Sequence, residues 1–284
     1  MEPSPHIDPI RLLRLSSQPK NPPSGDRVRT NARLRFALAQ ALARDQLLFC
    51  YQPVACASNP RFPAFHEMMS LLRMPNGQLV PTHLYTASIE ENEIGRTIDR
   101  LTLKRALQKL EENQALRLSI NISPQCMGDV QWHALLEEAF ASKSGACGRL
   151  ILEVSENAAV HDADMVDEFA THVRKFGPAF AFDRFGAGAT GFSHFRRLKF
   201  DLVKIAPAFC HGVHANRDAQ VLVECLQRIS MQFDMFCVAD GVENEADAIW
   251  LCDAGIDCIQ GRFYGHPKVQ PEAPSVAGPA RDAC

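Results

Sequence analysis

Apolar and polar positions along this chain repeat with two different periods, and the switches between them mark out its elements. TNARLRFALAQALARDQ places Leu34, Leu38 and Leu42 on one helical face behind Thr30 or Asn31, either of which can cap a helix. LLFCYQPVA then reads as a strand and FPAFHEMMSLLRM as a second, followed by a helical stretch from about Thr97 to Asn113. Beyond it, short apolar runs take turns with amphipathic ones. RLSINIS precedes WHALLEEAFAS, RLILEVSE precedes ADMVDEFATHVRKFG, and AFAFDRFG precedes FSHFRRL. FDLVKIA precedes NRDAQVLVECLQRIS, MFCVADGVE precedes NEADAIWLCDAG, and IDCIQG closes the series. Gly177 supplies a natural C-terminal stop for its helix. Eight strand candidates with intervening helices predict a single α/β domain, a TIM-like (βα) barrel over residues 30–267. A doubly wound open sheet is the competing architecture, but it favours a Gly-rich turn after an early strand, and none is present. Residues 1–29, with six prolines, read as a flexible arm, and 268–284 as a flexible tail.

Composition narrows the class without changing the fold. The chain has 284 residues, 46% apolar and 22% charged, with a net charge of −3, so nothing argues for a nucleic acid polymer as partner. No apolar run approaches the roughly 20 residues of a membrane span, and MEPSPHIDPI lacks the basic start and apolar core of a secretion signal. A cytoplasmic protein is expected. The ten cysteines are scattered without a C-x-x-C pair, several inside apolar runs, which suits small buried hydrophobes in a reducing compartment. His211 and His214 have loose metal spacing but no acidic or thiol neighbour in sequence, and read as solvated loop histidines.

The chemistry lies where each apolar run turns polar. Asn121 follows LSI, Glu153 follows LIL, Asp183 follows AFAF, Asp240 follows FCVA and Gln260 follows DCI, while Lys204 interrupts DLVKI. Glu67 and Arg73 punctuate the second strand. Any one of these is ordinarily a helix cap or a solvated loop residue, but so many at one structural phase converge on one barrel rim. Amide and carboxylate oxygens suit hard divalent cations, and a lysine beside them can orient a nucleophile or balance developing charge.

These residues resemble the EAL domain family, bacterial proteins that bind cyclic di-GMP and, when intact, hydrolyse one of its phosphodiester bonds with two metal ions. YQPV is similar to the family's YQPI strand, SINIS carries its asparagine and LEVSE its E-x-T-E glutamates. FDRFGAGATGFSHFRRLKFDLVKI is similar to the stretch from DDFG to KID, VADGVE resembles AEGVE, and IQGRFYGHP resembles the closing QG…P motif. The resemblance implies nucleotide contacts at Gln52, Arg73, Arg184 and Gln260, catalytic positions at Lys204, Asp240 and Glu243, and a vestigial metal set of Glu67, Asn121, Glu153 and Asp183.

The departures bear on activity. Arg184 stands where the family has a second aspartate, Ala206 replaces the KID aspartate, and Asp240 is a shortened glutamate. HEMMSLLR sets Glu67 six residues before Arg73 where the family spacing is four, so the ungapped glutamate position is Met69. Glu67 is expected to point inward yet sit about 7 Å too far along its strand. A guanidinium held near 5 Å from a divalent ion would repel it by roughly 6 to 7 kcal/mol at an effective dielectric of about 20. Arg184 is therefore expected to take a metal's place, pairing with Asp183 or Glu153. The resulting expectation is a catalytically impaired signalling module, a cyclic di-GMP receptor or protein-interaction domain, with no tightly bound cofactor. The alternative is a weak phosphodiesterase using Mg or Mn. A protein partner and a homodimer are further expectations.

Overall fold

The computed structural model describes residues 35–44, 46–73, 77, 79–81, 93–188 and 198–271. Most of the predicted arm and tail, and most of the predicted FSHFRRL helix, lie outside them. Among the described residues, nine strands form one sheet: β1 (Leu47–Cys56), β2 (Pro63–Arg73), β3 (Leu79–Pro81), β4 (Leu118–Asn121), β5 (Leu150–Ser155), β6 (Ala179–Phe185), β7 (Leu202–Ile205), β8 (Phe236–Ala239) and β9 (Cys258–Gln260). Their order is β1-β9-β8-β7-β6-β5-β4-β2-β3, and β1 also pairs with β2, closing eight strands into a barrel with β3 as an outer addition. The expected TIM-like α/β barrel is present, with one difference from a plain (βα)8 barrel. β1 runs antiparallel to both of its neighbours, whereas β2 and β4–β9 run parallel to one another.

The eight strands read from the sequence are the eight of the barrel. β3 escaped because three residues carry no period. A helix, α1 (Glu93–Glu112), begins about a turn earlier than read, since the polar start EIGR is held by Glu93, which pairs with Arg96 and Arg100. The outer helices α2 (Val130–Ala141), α3 (Arg217–Gln232) and α4 (Glu245–Asp253) each start behind a side chain that accepts backbone N–H bonds, from Asp129, Asn216 and Asn244 respectively. Gly177 closes its helix with φ +100°, as expected. Two expectations are corrected. Lys268 is not loose: its backbone bridges Tyr51 in both directions, at 2.7 and 2.9 Å. His214 is exposed as expected but does have an acidic partner: its Nδ1 lies 2.6 Å from the fully buried Asp247, which also accepts from the N–H groups of Gly212 and His214. The cysteines at 50, 56, 126, 147, 210, 237 and 258 are buried thiols as expected, while Cys225 and Cys252 are exposed.

The barrel interior is stratified by the period of two. Val54, Phe65, Ile151, Ala181, Leu202, Val238 and Cys258 form one apolar cluster, and the outward-facing Phe180, Phe182 and Val203 join a different one. Two residues beyond each member along β2 and β5–β9 stand Glu67, Glu153, Asp183, Lys204, Asp240 and Gln260. Antiparallel β1 reaches the same place in reverse, with Gln52 two residues before Val54. An apolar plug therefore carries a polar layer. Gly261 lets the chain turn directly after Gln260, since a Cβ there would come within 2.0 Å of the Val242 carbonyl oxygen. Replacing it with alanine is expected to destabilise the barrel by about 3 kcal/mol or more through overpacking, read as a fall in the urea unfolding midpoint. A midpoint unchanged from the wild type would show that this close approach is not a constraint.

Candidate functional site

The polar layer is organised around one ammonium group. Lys204 on β7 is only 2% exposed, and its Nζ lies 2.8 Å from Glu67 Oε2 on β2 and 2.8 Å from Glu153 Oε2 on β5. Asp183 on β6 is 3.9 Å away. Glu67 also accepts from Asn121 Nδ2 at 2.8 Å and from Gln260 Nε2 at 2.7 Å, and Gln260 reaches Gln52 at 3.4 Å. Gln52 in turn donates to the Gly265 carbonyl at 3.3 Å. Six of the positions read from the sequence thus meet in one network, with Asp183 at its edge.

Register explains how Glu67 arrives there. β2 pairs with β4 as Glu67 to Ser119 and Met68 to Ile120, so the next step sets Met69 level with Asn121. Asn121 is itself level with Glu153. The expected offset of about 7 Å along the strand is real, yet it does not remove Glu67 from the site. The side chain sits one step lower, and Asn121 turns its amide down to meet it. Met69, half-buried, holds the rim level.

Charge counting sets the protonation. Three carboxylates around one buried cation leave an excess of negative charge away from water, which disfavours full ionisation. Glu67, with three donors, is held below its ordinary range despite its burial. Glu153 is pushed up to about 8 by burial and by the neighbouring Glu67, and Lys204 counters this only in part. Burial raises Asp183, and raises Asp240 to about 6, while the surrounding acids hold the Lys204 ammonium well above its usual range.

Other expected site residues stand apart. Arg184 adopts φ +61° where the β6–β7 register shifts between Phe182 and Phe185, and its side chain is 64% exposed. Its Nε lies 3.7 Å from Asp183 and no contact joins it to Glu153. Of the two expected pairings, that with Asp183 is present at the surface and that with Glu153 is not: the internal cation is Lys204, because a left-handed residue at the bulge turns its side chain out toward solvent. An exposed pair of this kind contributes at most about 1 kcal/mol. Arg73 is exposed at the end of β2, six residues past Glu67. Glu243 is exposed and pairs with Arg262. Ala206, buried, accepts the N–H of Phe209 at 3.0 Å through its carbonyl and offers no side-chain ligand. Glu156, the second glutamate of LEVSE, received no role from the sequence; its buried carboxylate accepts the N–H of Gly188 at 2.5 Å and ties the turn after β6 to the end of β5. Ser155 caps the helix that begins at Glu156, accepting the N–H of Ala158, and the partner of Glu156 lies 32 residues away.

One observation suits a cation here. Glu153 Oε1 is buried without a hydrogen-bond partner among the described residues. Against it, Glu67, Glu153 and Asp183 already share Lys204, and no three His, Cys, Asp or Glu side chains among the described residues are grouped to hold a metal. The arrangement does not fit a two-metal centre. It is a buried, hydrogen-bonded layer in which three acids share one lysine.

Residues 35–267 match the EAL domain. The chain belongs to the EAL domain family. Among curated relatives, the cyclic di-GMP phosphodiesterase PdeF of Escherichia coli is 25% identical over 235 residues, 81% of this chain and 31% of that protein. PdeB of Shewanella oneidensis, also a cyclic di-GMP phosphodiesterase, is 26% identical over 238 residues, 81% of this chain and 28% of that one. The chain thus spans under a third of the length of either. Among solved structures, the FimX EAL domain of Pseudomonas aeruginosa bound to c-di-GMP superposes with a TM-score of 0.74 at 21% identity, over 84% of this chain and 97% of that one. The PaMucR phosphodiesterase in its c-di-GMP complex gives 0.76 at 24%, over 83% and 97%. At these identities the structural likeness carries the EAL barrel fold. No helix among the described residues is long and apolar enough to cross a membrane.

The floor of this EAL barrel has a pH signature. Glu153 loses its proton near 4.5 when unfolded but near 8 when folded, so the native state holds the extra proton between those values. That stability is full below about pH 4.5 and drains away as pH rises toward 8, by on the order of 1 kcal/mol per unit. Asp240 and Asp183, also raised, act in the same direction. Urea unfolding at pH 5.5 and 7.5 should show wild-type stability falling and Glu153→Gln flattening that fall. Equal slopes in the two proteins would remove Glu153 as the source.

Proposed function

We propose that this EAL domain is a signalling module that recognises cyclic di-GMP at its barrel mouth without hydrolysing it. The observation that carries this reading is Met69, rather than an acid, level with Asn121 and Glu153 at the rim, while Glu67 sits one step lower and bonds Lys204. Two-metal hydrolysis needs several free carboxylate oxygens around a pair of hard cations. Here those oxygens face a fixed lysine. Ala206 and Arg184 remove two further acids at the family's ligand positions, as the resemblance above implies.

Support for recognition is of two kinds. EAL domains of the same fold are known in complex with c-di-GMP, the Pseudomonas aeruginosa FimX and PaMucR structures among them. In this chain Gln52 and Gln260 are held by mutual hydrogen bonding, and Arg184 is exposed beside the mouth, able to meet a phosphate. No bound divalent cofactor is part of this reading. A second reading, a weak phosphodiesterase using Mg or Mn, draws on the convergence of Asn121, Glu153 and Lys204 and on the curated relatives' activity. A protein partner, with or without self-association, would receive the signal.

Calorimetry of the whole chain with cyclic di-GMP, alongside product analysis with Mg or Mn, tests this. Saturable binding with no linear dinucleotide is expected. Linear product accumulating over many turnovers would overturn the receptor reading in favour of the enzyme. Absence of binding would transfer the surface to protein interaction alone.

A further inference from the structure

Two cysteines that lie far apart in sequence are brought face to face by the barrel. Antiparallel pairing of β1 with β9 sets Cys56 level with Cys258. Val54 and Cys258 belong to the apolar plug, and Cys56, two residues past Val54, shares its inward face. Both side chains thus project from the same side of the sheet at the same height. Both are buried, and the structure holds them as thiols. We propose that Cys56 and Cys258 are the site of an intramolecular disulfide, formed in the folded protein by a small disulfide oxidant. The bond locks the seam where the first and last strands of the barrel meet.

Backbone hydrogen bonding sets up the approach. The Cys56 N–H turns away from β9 and donates to the Phe62 carbonyl at 3.2 Å, while the next residue, Ala57, donates to the Asp257 carbonyl at 2.9 Å. Cys56 and Cys258 therefore occupy a non-hydrogen-bonded position, where facing Cα atoms lie about 4.5 Å apart and side chains come closest. A disulfide spans Cα separations of about 4.4 to 6.8 Å, so the strands need not move to accept one. Among the described residues, no other two cysteines stand level on paired strands. The seam also ends at the surface, because the exposed Ser58 sets its hydroxyl 3.2 Å from Cys56 Sγ. A reagent entering beside Ser58 meets Cys56 first.

The chemistry is thiol–disulfide exchange. The Cys56 thiol, once deprotonated, attacks one sulfur of oxidised glutathione, making a mixed disulfide and expelling one glutathione thiolate. Cys258, deprotonated in turn, attacks Cys56 Sγ and expels the second. The protein gives up two electrons and two protons, which leave in two molecules of reduced glutathione. In a reducing compartment the pair rests as the dithiol. The oxidised bond joins the two ends of the barrel into one covalent loop, a restriction felt most by the unfolded chain.

The test incubates the whole folded chain with oxidised glutathione, alkylates the remaining thiols and maps the peptides by mass spectrometry, with urea unfolding in parallel. A peptide pair joined through Cys56 and Cys258, lighter by two hydrogens, is expected, with a urea midpoint above that of the reduced chain. Cys258→Val, which keeps the plug apolar, should lose both. The exposed Cys252 is the rival partner, since its Sγ donates to the Ala57 carbonyl at 3.5 Å. Cys252→Ser should leave the link and the midpoint rise intact. Recovery of Cys56 joined to Cys252 instead, or of Cys56 and Cys258 unlinked after oxidation of the folded chain, would overturn the inference. So would a link that appears only in urea, or one that leaves the midpoint of the reduced chain unchanged. These outcomes are read on the wild type, so none depends on a variant folding.

Discussion

A lysine ammonium sealed inside a barrel is the constraint from which the site follows. Removing that charge from water costs several kcal/mol unless opposite charge and hydrogen bonds replace the lost hydration. Lys204 finds both, from Glu67 and Glu153 at 2.8 Å each. Breaking such a pair by deleting one member ordinarily costs about 3 to 5 kcal/mol, far more than the exposed contact between Arg184 and Asp183 can contribute. The acids of the polar layer are thus committed. Gln260 and Asn121 then donate to Glu67, the acid with the most donors, and burial raises the pKa of Glu153.

The barrel's own geometry makes this commitment possible. A parallel strand with an apolar residue on the plug places its next inward side chain one step higher, and five strands of this chain repeat that step from Ile151, Ala181, Leu202, Val238 and Cys258. β2 repeats it from Phe65. Because β1 enters antiparallel, Gln52 is placed by counting backward from Val54, and its pairing with Glu67 joins the two halves of the layer. The turn after β6 is fixed from below by Glu156, so the bulge at Arg184 is a built feature with its side chain outward.

Much of this was legible in the sequence, and what was not has a common cause. Alternation along AFAFDRFG, RLILEVSE and FDLVKIA announces strands whose inward faces end in Asp183, Glu153 and Lys204, and helix caps such as Asn216 and Asn244 are local signals. β3 is too short to show a period. Misread features all depended on quantities that no single segment contains. Whether Glu67 reaches the site depends on the register of β2 against β4, which sets Ser119 rather than Asn121 opposite it. The partner of His214 is Asp247, 33 residues on. Arg184 was misjudged because residue type foretells charge but not the left-handed backbone that aims it away. Lys204 was seen as a candidate, yet its role as the resident cation required three acids from three strands to be brought within reach.

A lysine and a magnesium ion answer the same electrostatic demand in different ways. A bound metal couples the charge of the mouth to the free concentration of that ion, so ligand affinity and stability shift with it by mass action. A covalently held ammonium has no such dependence, and its charge is unchanged across the pH range in which Glu153 and Asp240 titrate. It cannot activate a water on phosphorus, which is the step that a metal supplies. A mouth served by the ammonium alone would trade turnover for constancy. Under the receptor reading proposed above, such a barrel would report the concentration of an anionic ligand without consuming it and without reference to divalent ions. That is the behaviour expected of a sensor.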